Sequence, residues 1–573
     1  MDLHNMGDYR VLKDSDEDHA VAGMLNPVLN MDDNEAAEKE FEVALFRKSS
    51  EPEEAPNMWL LENIGLYCQY AAAGLLYGSA GTLLPFCAYV YDGESNVCSN
   101  SSNLTFFAWN FKLLFAVLVD TVHPFGHRRK SWVLIGFFFV LSLLLLLSVA
   151  SDQMSMSQWL GTCLVIQVFL MFATVPADGY SIELGELEPI EQKGQILVTG
   201  QRIFFAFCVV AGFIQTLLVN GPSTNDSSCT LSWSGCWSWG LTPNQYYGLM
   251  FVLVLMLVTP MLWLKEKTPP DSRLLKPHTV RGLLREIWQT MHNLTTLNIL
   301  IFVIGIGALT NFTSQVNIFL QYYVIALTNV QAGIDNITTY AALVLAIYLF
   351  QTYLINVSWR KTQYAAIIFS AVLGLLWIPA YYNAGGTRNA WFTIWVDLDQ
   401  AFVTGLTQVI YSLAVMELSK PGQEATTYEL VVTVGNAASA ISSILATQLL
   451  APFRVVGCTS SDDDTMDNCG SNSVNLHSSA SFEASNGPLK FTTYSCTLIV
   501  ITIICSLVFV PFLPRNKAEC HEWRKQGESK PWAPRPYVTL FLCVAVVLYG
   551  FAAAVLLLVP ATSCSATVGG EGC

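Results

Sequence analysis

The chain has 573 residues, of which 53% are hydrophobic and only 13% charged, with a formal net charge of −15. Ordinary soluble proteins carry about 25% charged residues. The apolar residues fall in blocks of roughly 20, the length that matches a bilayer, so a string of soluble domains is excluded and an all-helical membrane protein is expected.

Residues 1–56 hold 15 acidic and 5 basic side chains. Asp14, Asp16, Glu17 and Asp18 form one acidic run. With no basic segment leading into an apolar core, this stretch does not read as a signal peptide. It reads as a disordered acidic tail able to meet a regulatory partner.

Apolar spans are predicted at residues 64–91, 104–121, 131–150, 158–178, 196–220, 246–264, 297–325, 337–357, 362–381, 391–416, 428–452, 492–513 and 537–560. With the N-terminus placed in the cytoplasm, the cytoplasmic loops collect 19 Lys and Arg and the outer loops 3. That asymmetry sets orientation and leaves the C-terminus outside. Glycosylation sequons at Asn100, Asn103, Asn225 and Asn336 fall in predicted outer loops, which points to a glycoprotein of the plasma membrane. Outer segments also hold the close cysteine pairs 229/236, 458/469 and 564/573, candidates for disulfides. Residues 265–296 form a basic linker after span six, with an amphipathic run at Val280–Met291 suited to a membrane surface.

Charged groups within lipid are costly and therefore face a partner or a cavity. Two cations lie within spans, Lys112 and Arg202. Lys112 is placed about 12 Å below the outer end of its span, at about 1.5 Å per residue. Both could receive an anionic substrate. Either could instead pair with a carboxylate, or, for Arg202, snorkel to the inner face. The acids are Asp120, Asp178, Asp397 and Asp399, with Glu183 and Glu429 close to the inner face. Asp397 and Asp399 are candidates for proton coupling, on different faces of one helix. Tyr70 and Tyr77 on span one, and Asn311 and Gln315 on span seven, are candidates to line a substrate cavity, or to hold helices together.

After span two, Asp120 is followed by a turn at Pro124, Phe125 and Gly126, then by Arg128, Arg129 and Lys130. This reads as a latch: the carboxylate meets a neighbouring helix N-terminus, and the arginines pair with acids such as Glu183, Glu186, Glu188 and Glu191. No catalytic, cofactor or metal constellation appears in the sequence; His123 and His127 flank the turn without zinc-like spacing.

Lys112 with Asp120, Pro124, Gly126, Arg128 and Arg129 resembles the span-two motif of the folate–biopterin transporter family. Ala177, Asp178, Gly179, Glu183 and Gly194 resemble a second motif of that family, and Pro421, Gly422, Glu424, Ala425, Thr426 and Asn436 a third. The resemblance spans residues 60–515. It implies two six-helix halves of the major facilitator type (64–264 and 297–513), with 537–560 as an additional thirteenth helix. It implies a secondary active transporter, not an enzyme, that carries a small folate- or pterin-like solute by alternating access, with proton symport as a candidate coupling and with no cofactor and no nucleic-acid partner. Lys112 would contact substrate; Asp120, Gly126, Arg128, Arg129, Asp178, Glu183, Glu424 and Asn436 would form gates. The alternatives are a carrier for another solute (a nucleoside, amino acid, sugar or S-adenosylmethionine) or a transporter-like receptor.

Overall fold

A computed structural model describes residues 57–83, 86–87, 91, 105–189, 193–219, 240–266, 280–309, 314–325, 327–418, 424–450, 455–456, 474–475, 479–520, 522–523 and 534–558. The acidic tail, three of the four sequons, and the cysteine pairs 229/236, 458/469 and 564/573 lie outside these residues.

The described chain is helical apart from one pair of two-residue parallel strands, β1 (Val455–Val456) and β2 (Val474–Asn475). In order the helices are α1 Gly65–Gly78, α2 Lys112–Thr121, α3 Lys130–Ala150, α4 Met156–Gly185, α5 Gln195–Ile214, α6 Pro243–Val258, α7 Val280–Met291, α8 Leu294–Gly307 and α9 Ser314–Phe319. They continue as α10 Asn329–Leu349, α11 Trp359–Leu375, α12 Trp377–Tyr381, α13 Ala390–Val396, α14 Leu398–Met416, α15 Glu424–Leu450, α16 Ser479–Ala484, α17 Gly487–Phe509 and α18 Arg535–Leu558.

Local chemistry sets several of the starts. Ser155 and Gln158 exchange side-chain and backbone hydrogen bonds at the start of α4, as Thr242 and Gln245 do for α6 and Thr328 and Gln331 for α10. Such reciprocal caps satisfy two otherwise unpaired N–H groups. The α10 cap places Asn336 inside a helix and not in the loop expected for it. Cys87, counted within span one, is disulfide-bonded.

Among the described residues, seven helical stretches are long and apolar enough to cross a membrane: 130–153, 156–185, 195–219, 243–263, 330–354, 359–381 and 487–512. An eighth is counted if α7 and α8 are one element, but they meet at an 81° bend. Thirteen spans were expected; the other expected spans are shorter, broken or partly outside the described residues. Span two is short and begins in a 3-10 turn, Phe106–Phe111, and its α-helical part starts on Lys112. Span ten is broken at Asp397, between α13 and α14. The polar side chains that make these stretches chemically interesting also lower their hydropathy. Helix α7 covers the amphipathic run expected there; Leu283 and Met291 face inward while Leu284 and the Arg281 and Arg285 side chains are exposed.

Buried apolar side chains gather in two large clusters. One draws on residues 58–264, including Trp159, Tyr246 and Phe137. The other draws mainly on residues 291–543, including Phe302, Phe350 and Trp359, with a few members from α4 and α5.

Candidate functional site: an ion-linked seam on α15

Helix α15 runs beside α2 and α4, and its side chains meet them along its length. Asp120, at the end of α2, accepts hydrogen bonds at Oδ2 from the Thr426 backbone N–H (2.9 Å) and hydroxyl (2.5 Å). A carboxylate on the exposed N–H groups of a helix start is favoured by the helix dipole. This is the helix terminus the latch reading called for.

The other oxygen of Asp120 faces Arg129 Nη1 at 2.6 Å. Arg129 also reaches Glu183 at 2.7 Å and Glu424 at 3.3 Å, and its side chain is 1% exposed. Arg128 lies 3.1 Å from Glu183 and 3.0 Å from Glu424. Two guanidinium forks therefore join three carboxylates from α2, α4 and α15, a geometry that Arg supports and Lys does not. Burial opposes the Arg129 charge, but Glu183, Asp120 and Glu424 outweigh it and raise its pKa. The arginines pair with Glu183 and Glu424; Glu186 and Glu188, offered as partners by sequence, are not among them. The turn that aims them needs left-handed backbone at Phe125 (φ 54°) and Gly126 (φ 77°). His123 is held toward its neutral form by burial and by Arg128 and Arg129, and no metal-binding cluster occurs among the described residues.

The motif glycine Gly179 has a spatial reason. A Cβ there would stand 2.8 Å from the Ala425 Cβ and 3.1 Å from Arg129 Cζ, so α4 and α15 approach this closely only without a side chain.

One turn and a half farther along α15 lies Glu429. Lys112 Nζ is 3.2 Å from Glu429 Oε1 and 3.2 Å from Asp178 Oδ2, and all three side chains are buried. Tyr70 donates its hydroxyl to Asp178 Oδ1 at 2.7 Å and lies 3.0 Å from Ser181 Oγ. Above them Thr433 accepts from the Leu113 backbone N–H (3.1 Å), and Asn436 donates to the Trp109 carbonyl (3.2 Å). Lys112 also sits 5.0 Å from the Trp109 ring centroid, a cation–π contact. Around Trp109 stands an aromatic wall: Tyr77 lies 4.6 Å from Phe106, 5.0 Å from Trp109 and 5.4 Å from Phe204, centroid to centroid.

Other expected residues fall elsewhere. Arg202 lies 5.8 Å from the ring centroid of Tyr348, on α10, away from Lys112. Asp397 occupies the break between α13 and α14. Asn311 and the side chains of Gln315 and Asp399 lie outside the described residues. Sequence reasoning missed the pairing of Glu429 with Lys112, and it missed Gln201, whose amide donates to Ser412 (3.0 Å) and Tyr428 (2.9 Å).

A second polar corner lies at the latch end. Glu188 accepts from the backbone N–H groups of Gly194 (2.6 Å) and Ile196 (2.9 Å), closing the turn into α5. Gly194 has φ 96°. Lys193 lies 3.3 Å from Glu417, and Lys517 donates to the Lys193 carbonyl at 2.7 Å. The Ser358–Lys361 segment binds back to the chain after α17: the Trp359 N–H donates to the Arg515 carbonyl at 2.7 Å, and Arg360 lies 3.9 Å from Glu519.

Burial raises the Glu188 carboxyl from 4.5 to about 7, against the lowering effect of the Gly194, Ile196 and Gln195 N–H groups and of Lys517. Its folded pKa is above its unfolded one, so the packed corner binds a proton that the unpacked chain has released. Stability from this group is present at low pH and is lost as pH climbs from 4.5 to about 7. The thermal midpoint of the purified protein is expected to fall across that window, and Glu188→Gln to flatten the slope; an unchanged slope in the variant would assign it to another group.

No protein-family model matches the chain, and no curated protein does. The folate–biopterin resemblance therefore rests on its motifs. Among solved structures, a crystal structure of a Major Facilitator Superfamily transporter, FucP, in the outward conformation is similar with a TM-score of 0.48 and 13% identity, covering 77% of this chain and 98% of that one. A crystal structure of the E. coli fucose:proton symporter, FucP, in a variant form, has a TM-score of 0.45 and 12% identity, covering 78% of this chain and 97% of that one. The helices described above make the chain an all-helical, multi-pass membrane protein.

Proposed function

We propose that this chain is a secondary active carrier of the major facilitator type. In this reading residues 64–264 and 297–513 are two six-helix halves, 265–296 is their linker, and 537–560 is an added span. The observation that carries the reading is the seam itself: Asp120, Arg128 and Arg129 from the first half grip Glu424 and Thr426 on α15 of the second. A salt-bridged closure at one end, with a buried polar layer behind it, is what alternating access requires of a gate. The orientation that places the latch in the cytoplasm comes from the loop charges, and the plasma membrane remains the expected location.

For the substrate, the motifs imply a folate or pterin. The geometry favours the wider alternative, a small flat-ringed solute that need not be an anion. Lys112 already has two carboxylates within 3.2 Å, so an anion would have to displace one of them, whereas the wall of Tyr77, Phe106, Trp109 and Phe204 offers stacking surface to any flat ring. The gate roles of Asp178 and Asn436, proton coupling through Asp397 or Asp399, and a regulatory partner for the acidic tail belong to this proposal.

The test is uptake of radiolabelled folates, pterins, nucleosides, sugars and S-adenosylmethionine into proteoliposomes. Saturable accumulation of a heteroaromatic solute, lost in Trp109→Ala, is expected. Binding without accumulation of any of them would favour the receptor reading.

A further inference from the structure

The two charged layers on α15 differ in how completely they are satisfied. In the latch three carboxylates share two guanidinium groups, so it too holds one negative charge in excess, but each carboxylate meets a guanidinium and Arg128 keeps 16% of its side chain exposed. The inner layer has one ammonium, Lys112, for two carboxylates, Asp178 and Glu429. With all three ionised it carries one uncompensated negative charge, and the Glu429 residue is 0% exposed. An unbalanced charge at such a place is costly, and a bound proton is the cheapest way to remove it.

The hydrogen bonds say which carboxylate would take it. Asp178 has both oxygens engaged, Oδ1 by the Tyr70 hydroxyl and Oδ2 by Lys112. Neither oxygen of Asp178 is left without a donor. Glu429 has only Oε1 engaged, by Lys112. Its Oε2 is buried and receives no donor among the described residues, while the Asp178 carboxylate lies close enough to share a proton with Glu429. The titratable and charged groups facing Glu429 are Lys112 from α2, Asp178 from α4 and Tyr411 from α14, with Tyr428 beside it on α15 and Tyr70 of α1 behind Asp178. Lys112 alone among them is a cation, and it is shared.

The position matters as much as the charge. Tyr70, Lys112 and Asp178 lie in the first half of the sequence and Glu429 in the second, so the Lys112–Glu429 pair bridges the seam, five residues from Glu424 on the same helix. We propose that Glu429 is the proton-carrying carboxyl of this carrier: protonation neutralises it, leaves Lys112 paired with Asp178 alone, and removes the inner charged tie across the seam. One proton from water is gained and the same proton is later released; no other bond changes. This rests on the carrier reading and moves the coupling site from Asp397 and Asp399 to Glu429.

The test reads the proton directly, with no solute. The purified full chain in lipid nanodiscs is titrated while infrared difference spectra record the carbonyl stretch of protonated carboxyl groups. A band lost on alkalinisation is expected in the wild type, with a component missing in Glu429→Gln and retained in Asp397→Asn and Asp399→Asn; Glu188→Gln and Glu424→Gln identify the components of the two other carboxyls raised toward neutral pH. At a fixed pH the band is expected to grow in Lys112→Met, which removes the competing ammonium and keeps the proposal testable if Glu429→Gln fails to fold. An undiminished band in Glu429→Gln, loss of that component in Asp397→Asn, or no gain in Lys112→Met would overturn the assignment. So would loss of the band at constant pH when sodium replaces choline, since the site would then hold a metal cation. Because no transport is measured, these outcomes stand apart from those of the uptake panel.

Discussion

Arg129→Ala is expected to be the most damaging single substitution in the described chain. The side chain is 1% exposed and ties carboxylates from α2, α4 and α15. Its removal leaves Asp120, Glu183 and Glu424 sharing Arg128 alone. Removing one member of a buried ion network costs about 3–5 kcal/mol, because the remaining charges stay buried without compensation. A thermal unfolding series in detergent should show a large drop for Arg129→Ala and only partial recovery for Arg129→Lys, since an ammonium cannot serve three carboxylates in a plane. Arg128→Ala, at a more exposed position, should lose less. An Arg129→Ala protein as stable as wild type would mean that the latch bears little of the packing between α4 and α15.

The second large effect is expected at Lys112. Lys112→Ala leaves Asp178 and Glu429 facing each other inside the protein with no cation between them, again a penalty of about 3–5 kcal/mol if both stay ionised. The distinguishing result is in the double variant. Lys112→Ala combined with Glu429→Gln removes one cation and one anion and leaves Asp178 with its Tyr70 hydrogen bond. It should be more stable than Lys112→Ala alone, so the two changes are not additive. Additive losses would mean that the residues act independently and that the 3.2 Å pairing contributes nothing.

Much of this site was legible in the sequence, for a physical reason. Lysine and aspartate within apolar blocks are conspicuous because lipid penalises them, so Lys112, Asp120 and Asp178 could be singled out without coordinates. The turn at Pro124–Gly126 followed by two arginines announced a latch, and the helix start that receives Asp120 was anticipated in kind though not in identity. The partners were not legible. Glu429 lies 317 residues from Lys112, and only folding brings them together. Glu424 was marked by motif resemblance alone, and the repeated acids at 183, 186, 188 and 191 gave no way to tell that Glu183 would meet the arginines while Glu188 closes the turn at Gly194.

The continuity of the helices was misread for a related reason. Apolar length was read as one uninterrupted element, but the chain breaks α-helical geometry where polar groups are used: a 3-10 turn ahead of Lys112, and a break at Asp397. Non-ideal helix within a membrane protein is tolerated where it is buried in protein. The capping pair Thr328 and Gln331 was present in the sequence and could have placed the start of α10 ahead of Asn336.

The central claim is that the seam between α15 and its neighbours α2 and α4 opens and closes. The most direct measurement is a spin-label distance across the latch end, with labels on Phe125→Cys and Lys361→Cys, both exposed positions, in a background stripped of native reactive thiols. Two distance populations are expected, with the longer one enriched when Glu424→Gln weakens the tie to Arg128 and Arg129. A single distance, unchanged in that variant and at every pH, would contradict it.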